Sequence, residues 1–368
     1  MKKIILSIHD LAIGGSEKVI VTEANMLYEK GYDVRLVTLL KEQHNDLEFL
    51  LRIPKENFVK FHFKSHFDWP ELFKLVRFLR EFRPDVVLTA SLFNNTIFKF
   101  SKILYPNFRL VVREGNIFVR HNFKSRLFDT LTSFMVSKYF VDAKAIKDDM
   151  VRRLKIPSKK IEVIYNGVDK SAFETPVVSR ENKRKELGIP MDAFVLLNVG
   201  SMSTTQKGQE YLIQAISNIQ HPTSNIKCLF AGDGSRRSNL EKLARDLGVT
   251  DSILFLGKRK DVAELRAVSD VFVLPSLWEG MPNAMFDAMA SGMPMIVTPV
   301  GGIPEVVKDN ESALFVKAAD SRSLTEAIMR LKKDTELRKK LGENARKAAL
   351  RPDLTWEYHI KKVSELIG

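Results

Sequence analysis

The stretch VFVLPSLWEGMPNAMFDAMASGMPMIVTPVGGIPE, Val271 to Glu305, decides the fold. An apolar run ends at Pro275, a loop carries Glu279, Gly280 and Pro282 into a helical pattern holding Asp287, and a second apolar run leads to VGGIPE. Strand, helix and strand in so short a span read as one unit of a parallel sheet. In such sheets ligands bind beyond the carboxyl ends of the strands. Pro282 near the first helical position and Asp287 in the early turns agree with helix-start rules. A carboxylate there stabilises a helix by about 0.3–1 kcal/mol, which is a structural reason for Asp287. Glu279 has no such reason, because it sits in the loop at the end of a strand. The turn after the next strand brings a second loop to the same crevice.

Outward from this stretch, the rhythm of short apolar run, loop and helical pattern repeats along the chain. Toward the N-terminus it runs KIILSIH, EKVIVTEANMLYEKG, DVRLVTLL, ELFKLVRFLREFRP, DVVLTAS and RLVVREGN. Gly31 and Pro84 close two of the helices before new strands begin. After the polar stretch TPVVSRENKRKELGIPMDA the rhythm restarts at FVLLNVG, IKCLFAGDG and ILFLG. This alternation predicts an α/β fold of two Rossmann-like, doubly wound domains facing across a cleft. The expected domains are 1–176 and 177–354, with a C-terminal helix at about 355–368 packing back on the first.

The chain has 368 residues, room for two cores, and 45% hydrophobic with 28% charged residues, an ordinary soluble composition. Its single cysteine, Cys228, excludes an internal disulfide and makes a reducing cytosol the default compartment. The start MKKIILSIHD breaks at His9-Asp10 without a cleavage pattern, so a first strand is expected rather than a signal peptide. No apolar run approaches the length of about 18 residues needed to span a bilayer. The net charge of +13 is mixed with aromatics in KFHFKSHFDWPELFKLVRFLREFRP and IFVRHNFKSRLFDTLTSFMVSKYF. Basic plus aromatic at helical spacing suits a helix on an anionic membrane surface, and equally a solvated helix of an ordinary fold. No nucleic-acid motif accompanies the charge, so no nucleic-acid partner is expected.

Three other loops stand at strand ends. GSMSTTQKGQ, Gly200 to Gln209, places Lys207 before its glycine and so is neither the phosphate-loop nor the dinucleotide fingerprint. IHDLAIGGSEK puts Gly14, Gly15 and Ser16 between a strand and a helix, where backbone N–H groups attract anions; a plain cap by Ser16 is the structural alternative. AGDGSRRS lacks the third glycine of a dinucleotide site, and turn formation explains it.

Taken with YNGVD (Tyr165 to Asp169), QKG around Lys207, AGDG and FLG (Phe255 to Gly257), these loops make the chain resemble the retaining glycosyltransferases of the GT-B fold, in particular glycosyltransferase family 4. The resemblance covers nearly the whole chain and is most specific from Asn198 to Val307. It implies that Gly14 and Gly15 face the donor diphosphate and sugar, and that Lys207 neutralises the diphosphate. It also implies that Glu279 contacts donor-sugar hydroxyls with help from the loop Gly280, Met281, Pro282 and Asn283. Asp287 stands where a second glutamate usually binds the ribose, and Arg259 should border the base. There are three departures. Asp287 is one methylene shorter than glutamate, Ser201 sits six residues before Lys207 where many members carry an arginine, and VVREGN offers Arg113 and Asn116 where a histidine is common. Arg113 and Arg259 are the candidates for the missing cation, and neither His9 nor His121 is assigned a role.

The implied reaction moves a sugar, UDP-hexose or UDP-HexNAc favoured as donor, to a lipid-linked or polysaccharide acceptor in cell-surface glycan synthesis. Stabilisation of the leaving diphosphate is the main catalytic demand, and Lys207 with helix N-termini meets it without a metal. No aspartate pair stands on a suitable loop, and His62 and His66 lack the glutamate of a zinc motif. No cofactor or metal is therefore expected. A nucleotide-sugar epimerase on the same scaffold and a non-catalytic glycan or lipid-surface binder are the alternatives. The expected location is cytoplasmic, at the inner face of the cytoplasmic membrane if the basic-aromatic segments bind lipid.

Overall fold

The computed structural model describes residues 1–41, 44, 46–116, 123–174, 178–219 and 225–368, with backbone only for 123–125. The chain divides into two compact units, Met1–Asn166 with Glu357–Gly368, and Gly167–Trp356. The expected boundary at 176 and 177 lies outside the described residues. The observed division falls earlier because residues 167 and 168 belong with the second unit. The Val168 N–H donates to the Leu354 carbonyl at 2.7 Å, and a Cβ on Gly167 would lie 2.4 Å from the Trp356 ring.

The first unit runs β1 (Lys3–Ile8), α1 (Gly15–Glu29), β2 (Asp33–Leu40), β3 (Phe58–Phe63), α2 (Trp69–Phe82), β4 (Val86–Thr89), α3 (Leu92–Leu104), β5 (Arg109–Glu114), α4 (Phe123–Thr132), β6 (Lys138–Val141), α5 (Lys144–Leu154) and β7 (Ile161–Val163). The second holds α6 (Arg180–Glu186), β8 (Phe194–Val199), α7 (Gln209–Ile219), β9 (Ile226–Ala231), α8 (Arg237–Asp246), β10 (Ile253–Gly257), α9 (Val262–Val268), β11 (Val271–Leu274), α10 (Asn283–Ala290), β12 (Met295–Val297), α11 (Ile303–Val306), β13 (Leu314–Phe315), α12 (Ser321–Lys333) and α13 (Thr335–Ala349). The closing helix α14 (Trp356–Ile367) returns the chain to the first unit.

Both sheets are parallel throughout, in the orders β3-β2-β1-β4-β5-β6-β7 and β10-β9-β8-β11-β12-β13. The chain order therefore reverses at β1/β4 in one unit and at β8/β11 in the other, and these are the switch points where doubly wound sheets bind ligands. Apolar strands buried on both faces make this possible: β4 and β11 are buried at every residue. The helix ends follow their sequence signals. Gly31 follows α1 with φ +85°, and α2 is capped by Asp68, whose side chain accepts from the Glu71 N–H. The helical spacing of the first basic-aromatic stretch needs correction, since its opening KFHF belongs to strand β3 and the helix begins at Trp69. Alternate burial along β3, with Phe61 and Phe63 inward and His62 outward, shows period two overriding the apparent helical pattern.

The first core gathers Leu6, Ile20, Leu36, Leu88 and Phe140 with Ile360, Val363 and Ile367 from α14. Each such side chain contributes about 1.5–3 kcal/mol on burial. Within that apolar packing α14 carries His359, which is wholly buried. Its Nδ1 lies 2.7 Å from the Tyr165 carbonyl, so it donates there, and its Nε2 lies 2.8 Å from Glu23 Oε1. Glu23 is equally buried, and its other oxygen has no partner. Removing one partner of a buried polar pair leaves the other desolvated and uncompensated. His359→Ala should therefore lower the unfolding free energy by about 3–5 kcal/mol, with His359→Gln intermediate, as measured by urea denaturation.

Candidate functional site

At the β8/β11 switch point the second unit brings three loops together through backbone contact. Gly208 adopts φ +62°, and a Cβ on it would lie 2.0 Å from the Pro275 carbonyl oxygen. Gly301, at φ +58°, stands in the same relation to the carbonyl of Glu279. A left-handed backbone and no room for a side chain make glycine the residue for both positions. Hydrogen bonds close the contacts. The Leu277 N–H donates to the Gln206 carbonyl at 2.7 Å, and the Gly302 N–H to that of Gly280 at 2.7 Å.

This stacking sets Lys207 against Glu279. The ammonium lies 2.7 Å from Glu279 Oε1, and the carboxylate is 3% exposed. Ser276 Oγ donates to the same oxygen at 2.6 Å, and Gln206 Nε2 to the other at 3.2 Å. The stem of Lys207 packs along Gly200, where a Cβ would lie 3.0 Å from Lys207 Cγ. The structure thus joins Lys207 and Glu279, which are 72 residues apart in sequence. It also adds Gln206 and Ser276, which the sequence analysis does not single out. The one signal for Ser276 is its position three residues before a loop carboxylate, a spacing at which a hydroxyl turns back on its own chain.

The remaining residues of this unit fall in different settings. Met281 and Pro282 are buried, Pro282 is the cap of α10, and Asn283 is the first residue of that helix. Asp287 lies further along α10, 3.4 Å from Arg266 Nη1. Burial lowers the pKa of Arg266 and Asp287 opposes that shift, so this aspartate serves a buried guanidinium. Ser201 is exposed, and its hydroxyl donates to Ser203 Oγ at 3.0 Å. Arg259 does not supply the missing cation as a free group. It forks onto Asp261 with Nε 2.7 Å from Oδ1, and Lys183 lies 2.6 Å from the same carboxylate.

In the first unit Gly14 is the extended N-cap of α1 and makes no side-chain cap. The helix starts at Gly15, so Ser16 is an exposed first-turn residue and not the cap. The Glu17 carboxylate folds over Gly14, with Oε2 2.0 Å from where a Cβ would stand. His9, Asp10 and Glu17 form the one group among the described residues close enough to share a cation. His9 Nε2 lies 3.4 Å from Glu17 and 3.5 Å from Asp10. Both carboxylates already have backbone donors, the Ala12 N–H for Asp10 and its own N–H for Glu17. His66 packs against Phe93 with centroids 4.5 Å apart and the rings tilted by 49°, while His62 points outward from β3.

Arg113 requires correction as a candidate ligand for a donor. It is 4% exposed and forks onto Asp142, with both nitrogen–oxygen distances 3.1 Å and a third bond to Asn166 at 2.8 Å. A parallel strand buried on both faces leaves its inward arginine no route to solvent, so it pairs within the unit. Asn116 is exposed just beyond β5, and His121 lies outside the described residues.

Beside Arg113, Glu114 faces a small polar cavity lined by Asn95, Lys99, Asp129 and Tyr139. Lys99 bonds Asp129 at 3.0 Å, and Glu114 accepts from the Asn95 amide at 2.9 Å. Burial, then the negative charge of Asp129, raises its carboxyl to about 8. An acid whose pKa is raised on folding holds an extra proton in the folded state between its ordinary range and that value. Stability is then greatest at low pH in that window and is lost as pH rises from about 5 to 8. The melting temperature should fall over this range and Glu114→Gln should flatten the fall, as followed by calorimetry at several pH values.

The geometry defines two doubly wound units, one with a cation–carboxylate pair at its switch point. A family model described as "Glycosyl transferases group 1" matches residues 179–348, and one described as "Glycosyltransferase Family 4" matches residues 13–172. The chain belongs to this glycosyltransferase family, and its fold is that of the GT-B members. It is 34% identical over 196 residues to the UDP-Gal:alpha-D-GlcNAc-diphosphoundecaprenol alpha-1,3-galactosyltransferase of Escherichia coli, covering 52% of this chain and 50% of that one. The lipopolysaccharide core biosynthesis glycosyltransferase LpsD of Rhizobium meliloti is 28% identical, with 92% and 90% covered. The chain spans about half the length of several of the curated relatives it matches. Among solved structures, Anabaena Alr3699/HepE in complex with UDP-glucose superposes with a TM-score of 0.89 at 19% identity, covering 100% of this chain and 99% of that one.

Proposed function

We propose that the protein transfers a sugar from a nucleotide-sugar donor to a glycan or lipid-linked acceptor, with retention of anomeric configuration and without a metal. The observation that carries this reading is the Lys207–Glu279 pair at the β8/β11 switch point. An ammonium there can hold a departing diphosphate, and a rigid carboxylate beside it can accept hydrogen bonds from sugar hydroxyls. UDP is the favoured nucleotide, supported by the UDP-glucose complex of a protein of the same fold and by a relative named for UDP-Gal. A lipid-linked or polysaccharide acceptor is supported by the names of the Escherichia coli and Rhizobium meliloti relatives. In the proposed step the bond between the anomeric carbon and the donor phosphate breaks, its electron pair leaving on the diphosphate. The acceptor oxygen bonds to the same face of that carbon, and its proton passes to the leaving diphosphate oxygen. Lys207 offsets the charge that develops there.

The test is turnover of a panel of UDP-, GDP- and ADP-sugars with and without lipid-linked acceptors, with the product anomer read by NMR. A UDP-sugar should be consumed only with acceptor, and Lys207→Ala should lower its turnover at least tenfold, about 1.4 kcal/mol of barrier, with the melting temperature retained. Turnover of donor alone to a changed sugar, or an inverted product, would overturn the reading.

The same proposal places the acceptor side against an anionic membrane surface. Phe67, Trp69 and Phe73 are exposed around the start of α2 beside Lys64, Lys74 and Arg77. Leu127 and Leu131 on α4 and Phe134 in the short turn after it are a second set of apolar residues, 46–78% exposed. Apolar groups that dip into the interface with cations at the headgroups are the pattern of a surface-bound element. No helix among the described residues is long and apolar enough to cross a membrane. Sedimentation with vesicles containing phosphatidylglycerol should capture the protein at low salt and release it at high salt. Leu131→Glu with Phe134→Glu should abolish capture, and a wild-type chain left in the supernatant at low salt would exclude the surface role.

A further inference from the structure

The Glu279 carboxylate receives three side-chain donors of unlike character. Lys207 brings a charge on a flexible stem that is partly exposed, whereas Ser276 and Gln206 bring neutral dipoles. Ser276 is wholly buried, and its own carbonyl accepts from Thr298 Oγ1 at 2.6 Å, which ties the β11 loop to β12. Gln206 is pinned at both backbone ends, its N–H to Thr204 Oγ1 at 3.2 Å and its carbonyl to the Leu277 N–H at 2.7 Å. Neither residue has the reach or the charge to follow a phosphate. Lys207 has both.

We infer that Ser276 and Gln206 are positioning residues that keep the Glu279 carboxylate aimed when a donor diphosphate draws Lys207 away from it. The inference rests on the proposed donor reading and adds two residues to it. A carboxylate offers about four lone-pair sites, and three are taken here. Transfer of the ammonium toward the diphosphate frees one site on Oε1 for a sugar hydroxyl. Ser276 still holds that oxygen and Gln206 holds the other. A buried carboxylate from which Lys207 has been drawn would otherwise turn, because a buried oxygen left without a hydrogen bond is costly. Neutral donors suit this task because they do not compete with Lys207 for the diphosphate, as a second cation on Glu279 would.

The consequence separates the nucleotide from the sugar. The nucleoside diphosphate alone should bind Ser276→Ala and Gln206→Ala within twofold of wild type, since neither residue meets the phosphates. Turnover of the active nucleotide-sugar should fall at least tenfold in Ser276→Ala and several-fold in Gln206→Ala. The extra affinity that the sugar confers over the bare diphosphate should be lost in both. Ser276→Thr, which keeps the hydroxyl, should restore much of the turnover. Calorimetric titration with UDP and with the active UDP-sugar, beside kcat and KM, reads these quantities. Gln206 is only half-buried, so its variant keeps the test open if Ser276→Ala does not fold. Folded variants with wild-type kcat, or with UDP and UDP-sugar affinity falling in parallel, would overturn the positioning role alone. A wild-type chain that turns over no nucleotide-sugar would overturn the donor reading and this inference together.

Discussion

The site in the second unit depends on how closely backbone can approach backbone at the carboxyl edge of its sheet. Gly208 on the Pro275 carbonyl, Gly232 on that of Gly200 and Gly301 on that of Glu279 each leave about 2 Å where a Cβ would stand. Such contacts set the loops after β8, β9, β11 and β12 as a stacked series, and no side chain can be wedged between them. With the loops so fixed, Lys207 and Glu279 meet at hydrogen-bond distance without long-range searching by flexible chains. Reduced freedom before ligand arrives is what makes such groups effective at a developing charge.

Charge is handled differently in the two units. In the second, the pair at the switch point is partly open, so its cation can be shared with an anion. In the first, Arg113, Asp142, Asn166, Glu23 and His359 form a buried set that pairs within the unit. That set uses an arginine which the strand pattern VVREGN offers as a ligand, and it draws on His359 of α14, 336 residues after its partner Glu23. Buried ionic groups of this kind specify a geometry more than they add stability. Here the geometry is the docking of α14.

Much of the fold was legible because doubly wound sheets write their strands as nearly continuous apolar runs. KIILSI, DVRLVTLL, VVLT, FVLLNV and VFVL all stand out for that reason. The strands that did not stand out are short or alternating. β3 reads FVKFHF, where Lys60 and His62 face solvent, and β6, β7 and β13 have only four, three and two residues. In the site, Lys207 and Glu279 were legible as polar residues in strand-end loops with no structural duty. Ser276, Gln206 and the confinement of Arg113 were not, because a hydroxyl, an amide or a guanidinium looks the same in sequence whether it meets a ligand or a neighbour.

By itself the sequence determined the two-unit α/β plan, the loops that carry chemistry, and the family to which the chain belongs. These follow from local patterns: hydrophobic period, helix caps and glycine placement, each set by a few adjacent residues. Tertiary structure alone decided which polar groups have partners. It paired Lys207 with Glu279, gave Asp287 to Arg266 and Arg259 to Asp261, and buried Arg113 against Asp142. Partnership of this kind depends on distance and desolvation between segments far apart in the chain, and neither is encoded in any local stretch of residues.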